Sequence, residues 1–244
     1  MGTSAGRAGR RPRREDTTGT REALLGAAAD LFAERGYDGV PLSSIAARAR
    51  VNKAMIRYHF GGKRGLYLSI LTTAFAEIVA RAEELAAAPG PAPEQLRMLV
   101  AALADIGTRR QPHLFTMMLR EVMAGGKHMA PAVLEKPARV LAAVRQIVER
   151  GVRDGAFRPV DPVLTHLSLV GSVVFFFATG PFRERVLADR RLGIAPPDPA
   201  AYVRHIQDLI THGLAAPRRA LRPPGSVHRS ARVAAPPPRK RAPS

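Results

Sequence analysis

The chain has 244 residues, no cysteine and a formal net charge of +18. At roughly 150 residues per domain, this length allows one or two domains and a core that needs no metal or disulfide staple. The missing cysteines exclude disulfide scaffolds, zinc ribbons, iron–sulfur sites and thiol nucleophiles.

Residues 1–16 are rich in glycine and arginine and read as a disordered basic arm. Helical periodicity starts soon after. Leu24, Leu25, Ala28, Leu31 and Phe32 share one helical face, and Gly36 follows as a stop. Leu42, Ile45, Ala46 and Ala49 repeat the pattern, with Pro41 placed for a first helical position. Val51 and Asn52 interrupt, Lys53–Phe60 reads as a third short helix, and Gly61-Gly62 breaks it. Tyr67, Ile70, Leu71, Ala74 and Ile78 mark a longer helix reaching about Ala88, before a Pro/Gly linker at residues 89–93.

Further helices are expected over residues 94–108, 112–124, 137–152, 162–179 and 199–215. The 162–179 segment is apolar all round, which predicts burial on both faces. No run alternates like a strand and no repeat is evident. Residues 217–244 carry eight Lys or Arg, seven prolines and no acid, and read as a second disordered arm. The expectation is an all-α fold of about nine helices. No uncharged stretch reaches the roughly 20 apolar residues of a membrane span, and no apolar segment follows the basic start. A cytoplasmic protein without a membrane partner is expected.

The informative segment is residues 20–60. Three short helices, with about three residues between the second and third, have helix-turn-helix spacing. Leu24, Leu31, Phe32, Ile45 and Ala46 would form a small core, and Ile56 and Phe60 would anchor the third helix to it. Lys53, Met55, Arg57, Tyr58 and His59 would then stand largely off the core, as a helix entering a major groove requires.

The strings A-x-x-L-F-A-E-R-G-Y from Ala28, I-A-x-x-A from Ile45 and Y-H-F-G-G-K-x-x-L from Tyr58 resemble the N-terminal domain of TetR-family transcriptional regulators. The resemblance spans residues 20–71. It implies a helix-turn-helix DNA-binding domain over 17–64 and a helical ligand-binding and dimerisation domain over 65–216. It implies a homodimer on a palindromic double-stranded DNA operator, usually a repressor released by a small-molecule effector. By position it assigns base and phosphate contacts to Ser43, Lys53, Ala54, Met55, Arg57, Tyr58, His59 and Lys63. Two positions depart from the family pattern. Arg50 stands where the family usually has glycine, and a left-handed arginine there costs up to about 1 kcal/mol against glycine. Arg57 stands where tyrosine is frequent, and it can donate to guanine O6 and N7. Plainer roles are open to the same residues: Lys53 and Lys63 as solvated charges, Tyr58 as a lid on the small core, Ser43 as a helix cap.

The remainder holds softer candidates. The resemblance places a ligand cavity in the middle helices, and His113, Phe115, Met117, Met118, Arg120 and Phe176 are candidates to line it. It gives dimerisation to the last two helices, with Leu164, Gly171, Phe175, Val203, Ile206 and Ile210 as the seam. Monomer core is the competing role for both sets. No catalytic role, metal or cofactor is expected. Gly2-Thr3-Ser4-Ala5-Gly6 has nucleophile-elbow spacing without a preceding strand. His205 and His212 find no carboxylate to complete a metal set. The alternative function is a non-specific, architectural DNA-binding protein that uses both basic arms.

Overall fold

The computed structural model describes residues 14–217 apart from positions 111, 112, 190 and 192. Most of both terminal arms, residues 1–13 and 218–244, lies outside the described residues. Ten α-helices, one π-helical turn and one isolated β-bridge, Phe157 to Ala215, make up the regular structure of the described residues.

Helix α1 (Arg14–Arg35) starts inside the stretch read as an arm. It buries Leu24, Ala28, Leu31 and Phe32 on one face. Helix α2 (Leu42–Ala49) begins one residue later than its proline suggested. Pro41 is the extended residue before the helix, at φ −75° and ψ 148°. Ile45 and Ala46 of α2 face the α1 stripe. A two-pronged ion pair adds a link, with Arg48 Nη1 and Nη2 at 2.8 and 3.4 Å from the Glu34 carboxylate oxygens. Helix α3 (Ala54–Phe60) contributes the fully buried Ile56. Helix α4 (Lys63–Ala87) closes the small core with Leu66, Tyr67 and Leu71 and then runs on into the rest of the molecule.

Helix α7 (Pro131–Arg153) packs along α4 and forms the centre of the larger part. Its stripe of Val133, Val140, Val144, Ile147 and Val148 is fully buried. The helix starts six residues earlier than the sequence pattern suggested, at Pro131. Pro137 lies inside it. That residue has no N–H for the Val133 carbonyl and its ring crowds the preceding turn, at a cost of about 3 kcal/mol that packing must outweigh. Helix α5 (Ala92–Asp105) lies against α4 and α7 and ends in the π-helical turn (Ile106–Arg110). In that turn a β-carbon on Gly107 would sit 1.7 Å from the Phe115 ring, so only glycine lets α6 (Leu114–Met123) approach this closely.

Helix α8 (Pro162–Ala178) is capped by Asp161, which accepts from the amides of Val163 and Leu164 at 2.7 and 2.9 Å. Asp198 caps α10 (Pro199–Leu214) through the Ala201 amide at 2.8 Å. Between them, α9 (Gly180–Leu187) bends 61° from α8. It is the helix that periodicity did not reveal, because it buries nothing. Burial of α8 on both faces is not found within one chain. Thr165, Leu169, Val173 and Phe176 face inward, whereas Leu164, Leu167 and Phe175 are 64%, 60% and 62% exposed. By length and apolarity alone α4 is able to cross a bilayer, but its apolar side chains are the shared core of both parts of the molecule.

Candidate nucleic-acid interface

The geometry of α3 is set by the turn before it. Arg50 closes α2 in the left-handed region, at φ 55° and ψ 38°. Its amide bonds the Ala47 carbonyl at 3.2 Å, and the Val51 amide bonds that of Ala46 at 3.0 Å. This is the Schellman closure, which satisfies carbonyls the helix leaves open and turns the chain sharply. Arg50 is the single non-glycine residue with positive φ among those described. Asn52 then accepts from the Ala54 amide at 2.8 Å and caps the start of α3. Periodicity gave no sign of that cap. At the other end Gly61 and Gly62, at φ 71° and 135°, turn the chain into α4 in a way that side chains disfavour.

One face of α3 is thereby presented outward. Lys53, Ala54, Arg57 and Tyr58 are exposed, Tyr58 by 73%. The open Tyr58 ring stands edge-on to His59 at 4.9 Å and does not cover the small core. Ser43 is exposed on α2, and no side-chain hydrogen bond caps that helix. Three candidates sit differently from expectation. Met55 is partly buried against the core. His59 is half-buried, and its Nε2 has no hydrogen-bond partner. Both turn inward because a seven-residue helix resting on Ile56 and Phe60 has little width left to expose. Lys63 folds over the Tyr37 ring at 4.6 Å, its Nζ 3.4 Å from the Asp38 carbonyl. Burial pushes the Lys63 ammonium below its ordinary pKa.

The charge pattern is one-sided. No Asp or Glu occurs from Gly39 to Ala76, whereas Arg48, Arg50, Lys53, Arg57, Lys63 and Arg64 all do. Arg48 is partly neutralised, and its hydrogen bond holds the Glu34 carboxyl below the usual carboxylate range. Arg50, Lys53 and Arg57 have no acidic partner among the described residues. Unpaired cations around an exposed helix of groove-filling width form the electrostatic footprint that a phosphate backbone attracts.

The α6 helix joins this head to the larger part. Arg120 donates from Nε to the Ala33 carbonyl and from Nη2 to that of Glu34, both at 3.1 Å, so it caps the end of α1. Glu121, 2% exposed, accepts from the Tyr67 hydroxyl at 2.8 Å and lies 2.8 Å from His128 Nδ1. His128 Nε2 is 3.4 Å from Asp38, which also pairs with Lys127 at 2.8 Å. Burial first, and the Glu121 contact second, push the Tyr67 phenol well above its ordinary range.

The cavity candidates separate into two groups. Phe115 and Met118 line an apolar cavity of about 40 Å³ between α4, α5, α6, α7 and α8. The other four do not line it. Arg120 is turned to α1, and His113 pairs there with Asp30 at 2.7 Å. Arg120 on α6 and His113 just before its first turn both face the head. Met117 is fully buried core. Phe176 is stacked on Tyr202 at 3.6 Å with Arg183 over its ring. Sequence reasoning missed His166, Pro137 and the valines of α8 in the cavity wall, since residues distant in sequence meet there.

Of the seam candidates, Leu164, Gly171 and Phe175 are exposed along one face of α8, in line with Leu167. Val203 and Ile210 are half-buried. Ile206 is 5% exposed and belongs to the monomer core, because α10 packs on α5 and α8 through it. Among the described residues no three His, Asp or Glu side chains gather as a metal site.

Comparison with known proteins agrees with this layout. Residues 24–70 match the family model described as bacterial regulatory proteins, tetR family. Residues 91–210 match the tetracyclin repressor-like C-terminal domain. The chain is 28% identical over 203 residues to the HTH-type transcriptional repressor NicS of Pseudomonas putida, covering 80% of this chain and 92% of NicS. It is 31% identical over 140 residues to an HTH-type transcriptional repressor of Streptomyces coelicolor, covering 56% of this chain and 69% of that one. The crystal structure of the TetR-family regulator PfmR from Thermus thermophilus superimposes with a TM-score of 0.62 at 25% identity, covering 78% of this chain and 97% of PfmR.

Proposed function

The chain belongs to the TetR family of bacterial transcriptional regulators, and on that premise we propose that it is a repressor that grips a two-fold symmetric operator as a homodimer and lets go when a small molecule binds its middle helices. The observation that carries the DNA assignment is the exposed face of α3, with Lys53, Arg57 and Tyr58 outward in an acid-free stretch. Arg57 reads a base edge, and Lys53, Tyr58 and Arg50 hold phosphates. Ser43, Ala54 and the half-buried Met55, His59 and Lys63 complete the contact zone. The sequence-blind, arm-driven reading is not favoured, since this chain matches HTH-type transcriptional repressors over most of their length.

The seam of the homodimer is the exposed row of Leu164, Leu167, Gly171 and Phe175 on α8, joined by Leu209, Val203 and Ile210 of α10. Left uncovered, such a row is a large apolar patch for a single soluble chain. The effector works through α6. One rigid helix carries Phe115 and Met118 at the cavity and Arg120 and Glu121 at the head, so a shift at one end reaches the other. A ligand moves that balance by its differential affinity for the two arrangements. The regulator acts in the cytoplasm and carries out no catalysis.

The test is a gel shift with the DNA flanking its own gene. Arg57→Ala should lower affinity by about 1–3 kcal/mol and relax discrimination at one base step. Undiminished binding in a double Arg57/Tyr58 alanine variant would reject the assignment.

A further inference from the structure

The apolar cavity has one polar side chain among its lining residues, His166. Phe75, Leu103, Phe115, Met118 and Val140 are among its lining residues, and every other lining residue but His166 is likewise apolar. His166 Nδ1 is buried and has no hydrogen-bond partner. Burial alone pushes this imidazole below its ordinary pKa, so the ring is neutral near pH 7. A neutral ring nitrogen offers one hydrogen bond, as donor or acceptor according to tautomer. Water does not answer it well. A buried water holds when it has about two to four polar partners, and His166 is the one polar residue in this wall.

Resting on the reading of the middle helices as the effector-binding part, we infer that the effector is a neutral, hydrocarbon-rich molecule with a single hydroxyl or carbonyl oxygen, which pairs with His166 Nδ1. The apolar wall excludes charge. No lining residue is Asp, Glu, Lys or Arg, and a buried ion without a counter-charge is heavily penalised. The hydrocarbon body fills the space among Phe75, Phe115 and Val140. At about 40 Å³ the cavity is smaller than the roughly 150 Å³ that admits a benzene ring. Met118 supplies the difference. It is half-buried on α6, unbranched and able to swing aside without a clash of β-branches. Occupancy therefore pushes on the same helix that caps α1 through Arg120.

The experiment compares phenol, benzene and benzoate on the full chain by titration calorimetry, with wild type and His166→Leu. Leucine removes the polar atom and keeps apolar volume, and benzene binding reports that the variant is folded. The ratio of phenol to benzene affinity should be about tenfold higher in wild type than in His166→Leu, because in the variant the hydroxyl is buried unpaired. Benzoate should not bind either protein. The nitrogen-15 shift of His166 Nδ1 in wild type should move with phenol and not with benzene, a readout that needs no variant. Equal ratios in the two proteins, benzoate binding as well as phenol, or no binding of phenol and benzene up to their solubility would each overturn the inference. Adding phenol to the operator-bound protein reads the effector role separately. Binding at His166 without operator release leaves the ligand chemistry standing and removes the effector reading.

Discussion

Arg50→Gly should make the protein more stable while weakening its hold on DNA. Arg50 is left-handed at φ 55° and ψ 38° and closes α2 through backbone bonds that any residue can make. The β-carbon costs about 1–2 kcal/mol in that conformation. Glycine removes that cost but enters with about 0.5–1 kcal/mol more chain entropy to lose on folding. The net gain is about 1 kcal/mol. For a chain of this size that raises Tm by about 2–4 °C. Arg50→Ala is the control. It keeps the β-carbon and removes the guanidinium, so its Tm should stay near wild type. In gel shifts both variants should lose one phosphate contact per protomer and show a shallower dependence of log affinity on log salt, by about one per contact. A glycine variant with unchanged or lower Tm would refute the strain argument. Loss of DNA affinity in the glycine variant alone would assign the position to backbone shape and not to charge.

Other outcomes follow from the same contacts. Gly107→Ala should cost about 1–3 kcal/mol, read as a lower Tm, because its β-carbon meets the Phe115 ring at 1.7 Å. Tyr67→Phe should cost about 1–3 kcal/mol in a chemical denaturation curve, because buried Glu121 loses a donor. Leu164→Glu with Phe175→Glu should give a folded monomer by sedimentation, with operator affinity falling as the second half-site is lost. The His166 pKa is lowered by burial, so the unfolded chain binds the extra proton more readily. Stability should therefore fall as pH drops below about 6.5. Part of that fall should vanish in His166→Leu, measured as the change in Tm between pH 7.5 and 5.5.

The reading head was legible because each of its signals is local. Leu31, Phe32, Ile45 and Ile56 sit at helical spacing, Gly61-Gly62 breaks the chain, and little competes with those preferences. The depth of individual side chains was not legible. Met55 and His59 look like surface residues on a helical wheel, yet α1 and α4 crowd a seven-residue helix. The start of α7 was misplaced because Pro137 carries the usual signature of a helix start, whereas Pro131 is the one that serves. Helix α9 has no apolar stripe and so gave periodicity nothing to detect. The cavity wall is the extreme case. Its residues come from five helices, and only the packing of α4, α5, α6, α7 and α8 puts His166 beside Phe115 and Met118.

On the proposed reading, the joint between head and body lets a weak ligand switch the molecule. The apolar core runs without a break from Leu31 through Tyr67 to Val148, so the head does not detach. What α6 adds are polar staples: Arg120 to two α1 carbonyls, the Lys127–Asp38 pair, and His128 between Glu121 and Asp38. The hydrogen bonds that Arg120 makes to the α1 carbonyls contribute about 0.5–1.5 kcal/mol each, the exposed Lys127–Asp38 pair contributes less, and the buried Glu121–His128 contact is the costliest to break. Coupling between effector and operator sites in regulators amounts to about 1–3 kcal/mol. Rearranging two or three staples therefore spans the required range, while breaking the apolar core would cost far more than a small ligand returns. The switch on the proposed reading is accordingly a change in how α6 meets the end of α1, and the residues to watch are Arg120 and His128, which touch neither DNA nor ligand.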